Sequence, residues 1–187
     1  MMNSRIFLLI LVLFSVLVSS EAWFWGRRRR RSSRAPSIPS HRGVTAAKLV
    51  AKANNQVGST TWSLAGCQGG NRFCDKNKCN LFVYDMLFRA NAKVPKRSSW
   101  YYSPIGANEW GNPSSYYVTE TGCYDSVDSK QSGDIIAFPY PDGLGHVGIV
   151  YSSSEYISAK EKMIEKTGYP NGRNYVLWRY RYGNSNC

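Results

Sequence analysis

The stretch from Lys78 to Ala90, KCNLFVYDMLFRA, constrains this chain more than any other. Cys79, Phe82, Val83, Met86, Leu87 and Ala90 recur at three- and four-residue steps, so on a helix they share one face. That face predicts a helix buried against the rest of the domain. Cys79 falls in its first turn, where unpaired backbone N–H groups and the positive end of the helix dipole favour a thiolate. Lys78 adds a cation beside it. A cysteine in this setting is a candidate nucleophile. The same position equally suits a buried apolar cysteine or one half of a disulfide.

The N-terminal segment, residues 1–22, reads as a secretory signal peptide. Arg5 is its positive end, and Ile6 to Val18 is an apolar run broken only by Ser15. The run is short of the roughly 20 residues that span a bilayer. Cleavage is expected before Trp23, after Ser20-Glu21-Ala22. No stable membrane span is expected, and the mature chain is expected to be secreted and extracellular, where disulfides persist. Residues 23–42 hold five consecutive arginines, Arg27 to Arg31, then Arg34, Pro36 and Pro39. Such a composition gives a basic disordered arm or propeptide.

The chain carries a formal +12, and from Arg42 onward 17 Lys and Arg face 11 Asp and Glu. The excess predisposes it to anionic polymers, whether cell-wall glycans with teichoic acids, anionic lipid, heparin-like sugars or nucleic acid, and charge does not choose among them; the arm would serve adhesion to such a surface. No nucleic-acid-binding motif accompanies the charge, so no nucleic-acid partner is expected. Residues 43–187 are long enough for one domain with a hydrophobic core, expected as a monomer.

Along that domain, Val44 to Asn54 reads as a first helix, with Ala46, Ala47, Val50, Ala51 and Asn54 on one side. A glycine-rich loop carrying Cys67 and Cys74 precedes the Cys79 helix. Lys96 to Lys130 reads as irregular and is crowded with aromatics, Trp100 and Trp110 among them, that can line a groove or serve the core. Then come strands at Asp134 to Phe138, His146 to Tyr151 and Tyr175 to Arg181, with turn chemistry at Tyr140 to Gly145. Helices first and an antiparallel sheet after make an α+β fold.

Two histidines exist, His41 and His146. His41 belongs to the arm. His146 opens a strand after a glycine-rich turn, and its imidazole can take a proton from Cys79 and then hold the thiolate as an ion pair. Ser158, 12 residues on, could lie beside that imidazole on the adjacent strand and orient it. Five cysteines in a secreted chain allow two disulfides and one free thiol. The preferred pairing is Cys67 with Cys74 and Cys123 with Cys187, one of fifteen possible, with Cys79 free. One ordered histidine leaves no ligand set, so neither metal nor cofactor is expected.

Three segments carry a family resemblance: Cys79 heading a helix, Gly133-Asp134-Ile135-Ile136-Ala137-Phe138, and Gly145-His146-Val147-Gly148-Ile149-Val150. Together they resemble the NlpC-type papain-like cell-wall peptidases. The run Cys79-Asn80-Leu81-Phe82-Val83 and the stretch Ala107-Asn108-Glu109-Trp110 are similar, more specifically, to the type VI secretion amidase effectors and their secreted antibacterial relatives in ticks and mites. The resemblance covers roughly Ala47 to Arg181. It implies a papain-like fold, Cys79 as nucleophile, His146 as base, and hydrolysis of peptide bonds in peptidoglycan stems or crosslinks. The family's third polar position, often a histidine or an amide, falls on Ser158. Lys78, Asn80, Trp100 and Trp110 are expected to bind substrate.

Overall fold

The computed structural model describes residues 43–99 and 102–187. The expected signal peptide, the basic arm, His41 and Trp100 lie outside the described residues. The described chain is α+β, with four helices and a six-stranded antiparallel sheet.

Helix α1, Ala46–Asn54, is capped by Thr45, whose hydroxyl accepts from the Lys48 N–H. Its buried residues are Leu49 and Ala53, one turn apart. The alanine-based side expected from the sequence is not the inner one, since Ala47 and Ala51 are exposed. Burial follows the residue with the most apolar area, and Leu49 outweighs several alanines.

Helix α2, Cys79–Arg89, is the expected central helix. It is buried on more than the predicted stripe: Leu81, Tyr84 and Asp85 are covered as well. A helix covered on nearly every side lies inside the domain. Asp85 is the polar exception. Its carboxylate accepts from the Trp62 indole at 2.8 Å, the Gln68 amide at 3.1 Å and the Tyr102 hydroxyl at 2.7 Å. Three donors satisfy the buried charge and tie two loops to the helix. Two short helices follow, α3 Ala107–Trp110 and α4 Tyr116–Thr119, inside the stretch expected to be irregular.

The strands are β1 Tyr124–Val127, β2 Ile135–Pro139, β3 Gly145–Val150, β4 Glu155–Ala159, β5 Ile164–Gly168 and β6 Val176–Tyr180. Their spatial order is β1-β6-β2-β3-β4-β5. The sequence pattern placed β2, β3 and β6 within a residue or two, but not β1 or β5. Both are short and polar on one side, YDSV and IEKTG, and lack the apolar alternation that marks a strand.

The sheet buries both faces. The helices and Val147, Ile149, Ile157 and Trp178 form the main core. On the other face Ile136, Phe138, Val150, Tyr156 and Leu177 make a smaller cluster. Disulfides join Cys67 to Cys74 and Cys123 to Cys187, leaving Cys79 free and buried. The first closes the loop just before α2. The second pins the C-terminus beside β1, where the Tyr180 hydroxyl donates to the Cys187 carbonyl at 2.5 Å. Among the described residues no helix is long and apolar enough to cross a membrane.

Candidate active site

Cys79 and His146 line one cavity of about 390 Å³ at the end of the sheet where β3 begins. Helix α2 brings the cysteine there from the main-core face. His146 alternates with Val147 along β3, so its ring belongs to the opposite face, 6.0 Å from the Tyr156 ring. The two meet where α2 starts and β3 starts.

Cys79 is 5% exposed. Burial pushes its thiol up from the ordinary value. Backbone N–H groups of Val147, Asn80 and Cys79 and the Lys160 charge pull the other way. The helix start does what the sequence suggested, but desolvation outweighs it. His146 moves in the complementary direction, from 6.5 down to about 4, first because of burial and second because of Lys160. Both shifts favour the neutral thiol and the neutral imidazole at pH 7 over the expected ion pair. No hydrogen bond joins the sulfur to the ring among the described residues. In free enzymes such bonds often form only with substrate in place.

Ser158 lies where the strand count put it, its hydroxyl 2.9 Å from His146 Nε2. The β3–β4 register pairs Ile149 with Ile157 and Val150 with Tyr156. Continued by one step, it sets Ser158 against Gly148. A Cβ at Gly148 would lie 2.7 Å from the Ile157 carbonyl oxygen and 3.0 Å from the Ser158 Cβ. The glycine lets the two strands approach and gives the imidazole room to lean diagonally onto Ser158.

A third group shares Nε2. The Lys160 ammonium is 3.3 Å from it and also donates to the Tyr156 hydroxyl at 2.9 Å. The same register carries Lys160 to a position opposite His146, so a count along the hairpin could have found it. In the sequence it carries no signal of its own, because a lysine near a strand end is ordinarily a solvated charge.

Of the expected substrate-binding residues, three are placed otherwise. Lys78 is 2% exposed, and its ammonium donates to the carbonyls of Ser63, Leu64 and Lys76 at 2.8 to 2.9 Å. It fixes the loop before α2 and has no donor left for a ligand. Trp110 is 1% exposed, packs edge-on against Tyr124, and its carbonyl accepts from the Trp178 indole at 2.8 Å. It is a core residue. The Asn80 side chain donates to the Ile105 carbonyl at 2.9 Å and lines a separate cavity with Arg72 and Tyr102. What Asn80 gives the cysteine is its backbone N–H. Trp100 lies outside the described residues. No group of three or more His, Cys, Asp or Glu side chains among the described residues is arranged to hold a metal ion.

In chemical terms such an arrangement is suited to attack by sulfur. The thiol has a base within one cavity, the base has a hydroxyl to orient it, and N–H groups at the sulfur can receive an oxyanion. Among solved structures, the chain is similar to a hypothetical invasion protein of Mycobacterium tuberculosis, at 15% identity and a TM-score of 0.48, covering 72% of this chain and 61% of that one. The chain thus spans less than two thirds of that protein's length. No family model matches the chain, and no curated protein matches it.

Proposed function

We propose that this chain is a secreted cysteine peptidase of the amidase or endopeptidase type, acting on peptide bonds in bacterial peptidoglycan as an antibacterial protein. The single observation that carries the reading is the convergence of a free cysteine at a helix start with His146 and Ser158 in one cavity. The order of elements, cysteine helix before the histidine strand, supports a papain-like, NlpC-type arrangement over residues 43–187. The arginine arm of residues 23–42 supports anionic wall polymers as the surface the protein seeks.

Starting from the neutral pair, His146 takes the thiol proton as the Cys79 sulfur attacks the amide carbonyl. Nε2 faces Ser158 and Lys160, so the transfer uses Nδ1, with the ring proton on Nε2 and donated to the Ser158 hydroxyl. The developing oxyanion is held by backbone N–H groups at the α2 start. The imidazolium then protonates the leaving amine. Water, activated by the same ring, releases the acyl group and restores the thiol.

The experiment is fragment analysis of purified sacculi after incubation with the protein. A peptidase releases new free amino ends matched by new carboxyl ends, with glycan reducing ends unchanged. A wall-binding protein in which Cys79 is structural releases neither.

A further inference from the structure

The cavity around Cys79 carries more positive charge than its chemistry uses. Lys78 spends its ammonium on three carbonyls. Lys160 and Arg173 do not. Lys160 sits 5.0 Å over the Tyr156 ring, and the Arg173 guanidinium 4.7 Å over the Tyr140 ring. Rings position a cation without neutralising it. Lys160 has two hydrogen-bond partners, the Tyr156 hydroxyl and His146, and neither is a carboxylate. Among the described residues neither cation is ion-paired, although Glu161 lies on the same wall. Glu161 offsets one charge of the two and leaves the wall net positive.

We infer that Lys160 and Arg173 form a carboxylate-reading subsite beside the scissile bond, so that the peptides this enzyme prefers carry a free carboxylate next to the amide that is cut. The inference rests on the peptidase reading for its word "scissile", but the subsite itself is a matter of binding. Two cations held over aromatic rings on one cavity wall, Lys160 half-buried and Arg173 exposed at its rim, suit a carboxylate.

The subsite is coupled to His146. Nε2 has one lone pair, and an ammonium can only donate to it. While Lys160 donates there, the ring proton sits on Nδ1, and the imidazole has no lone pair left for the Cys79 thiol. A substrate carboxylate that draws Lys160 away lets Nε2–H donate to Ser158 instead. Nδ1 then becomes the acceptor that proton transfer needs. A bound carboxylate therefore both anchors the peptide and sets the base in its working tautomer.

The test uses a soluble muropeptide with free stem carboxylates and the same muropeptide with those groups carboxamidated. Calorimetric titration onto Cys79→Ala protein at low salt reads binding without turnover. The free-carboxylate form is expected to bind about tenfold tighter, since the contact is charge-assisted. On the Cys79→Ala background, Lys160→Gln and Arg173→Gln should each shrink that preference to about twofold or less. Equal affinity for the two peptides, no binding of either, or a preference untouched by both substitutions overturns the subsite. Turnover by the unaltered enzyme is read separately. If neither peptide is cut while the affinity difference persists, the peptidase reading fails and the subsite stands.

Discussion

Replacing Lys160 with Gln should raise the pKa of His146, and the size of the rise follows from the site. The imidazole stands at about 4 against an ordinary 6.5, with burial the larger cause and Lys160 the smaller. Lys160 therefore accounts for less than half of the drop. A unit charge at about 4 Å is worth about 1 kcal/mol in water and about 4 in a partly dry site, a range that brackets the roughly 1.4 kcal/mol of one pH unit. An increase of about one is expected for Lys160→Gln, with the value still under 6.5 because burial remains. The assay is an NMR titration of the His146 ring in a His41→Gln background, which leaves one histidine to observe. The same change should move the acid limb of kcat/KM upward by about one pH unit, since that limb reports the free enzyme's base. The effect on stability has a definite sign. Between pH 6.5 and about 4 the unfolded chain binds the proton that folded His146 refuses, so stability contributed by the neutral ring is full above pH 6.5 and lost as pH falls through this window. The gap from 6.5 to about 4 is worth roughly 3 kcal/mol at 1.36 kcal/mol per pH unit. Lys160→Gln should lessen that acid loss by about 1 kcal/mol in urea unfolding near pH 4. An unchanged or lower His146 pKa would refute the contact as a working ion–dipole pair.

The remaining predictions concern the orienting hydroxyl and the buried carboxylate. Ser158→Ala should lower kcat about tenfold, roughly 1.4 kcal/mol in barrier, with KM little changed, because the hydroxyl orients the ring and does not touch the peptide. A loss matching that of His146→Ala would show that Ser158 does more than orient. Asp85→Ala should cost about 3 kcal/mol or more of unfolding free energy, since it strands the Trp62 indole N–H and the Tyr102 hydroxyl inside the domain. Urea unfolding measures it, and a cost under about 1 kcal/mol would mean that the two loops are held by packing alone.

The parts of the fold that could be read from the sequence are those where periodicity and burial coincide. Helix α2 and strands β2, β3 and β6 are such parts, and so is the hairpin that carries His146 to Ser158. The preferred disulfide pairing joined two cysteines seven residues apart, Cys67 and Cys74, and with Cys79 kept free that left Cys123 and Cys187, 64 residues apart. What could not be read were interactions between segments far apart in the chain. Asp85 has no sequence pattern to announce its role, yet it is the acceptor that ties Trp62, Gln68 and Tyr102 together. Trp110 looked like a groove residue because aromatic loops serve grooves and cores alike, and only tertiary packing separates the two. Lys78 looked like a cation for the thiolate, but the loop carbonyls of residues 63, 64 and 76 claim it. The ion pair expected of Cys79 and His146 rested on the dipole of α2. Burial reverses its sign, and burial is a property of the folded domain.

The central claim is that the Cys79 sulfur is the nucleophile. Purified peptidoglycan is digested with Cys79→Ala protein whose fold is verified by circular dichroism and thermal unfolding, and new amino termini are counted against the unaltered enzyme. Removing one sulfur from the mouth of a cavity should leave folding and wall binding intact while release falls by several orders of magnitude. If a folded Cys79→Ala protein still releases new amino termini at a comparable rate, Cys79 is structural and the cysteine-peptidase account is wrong.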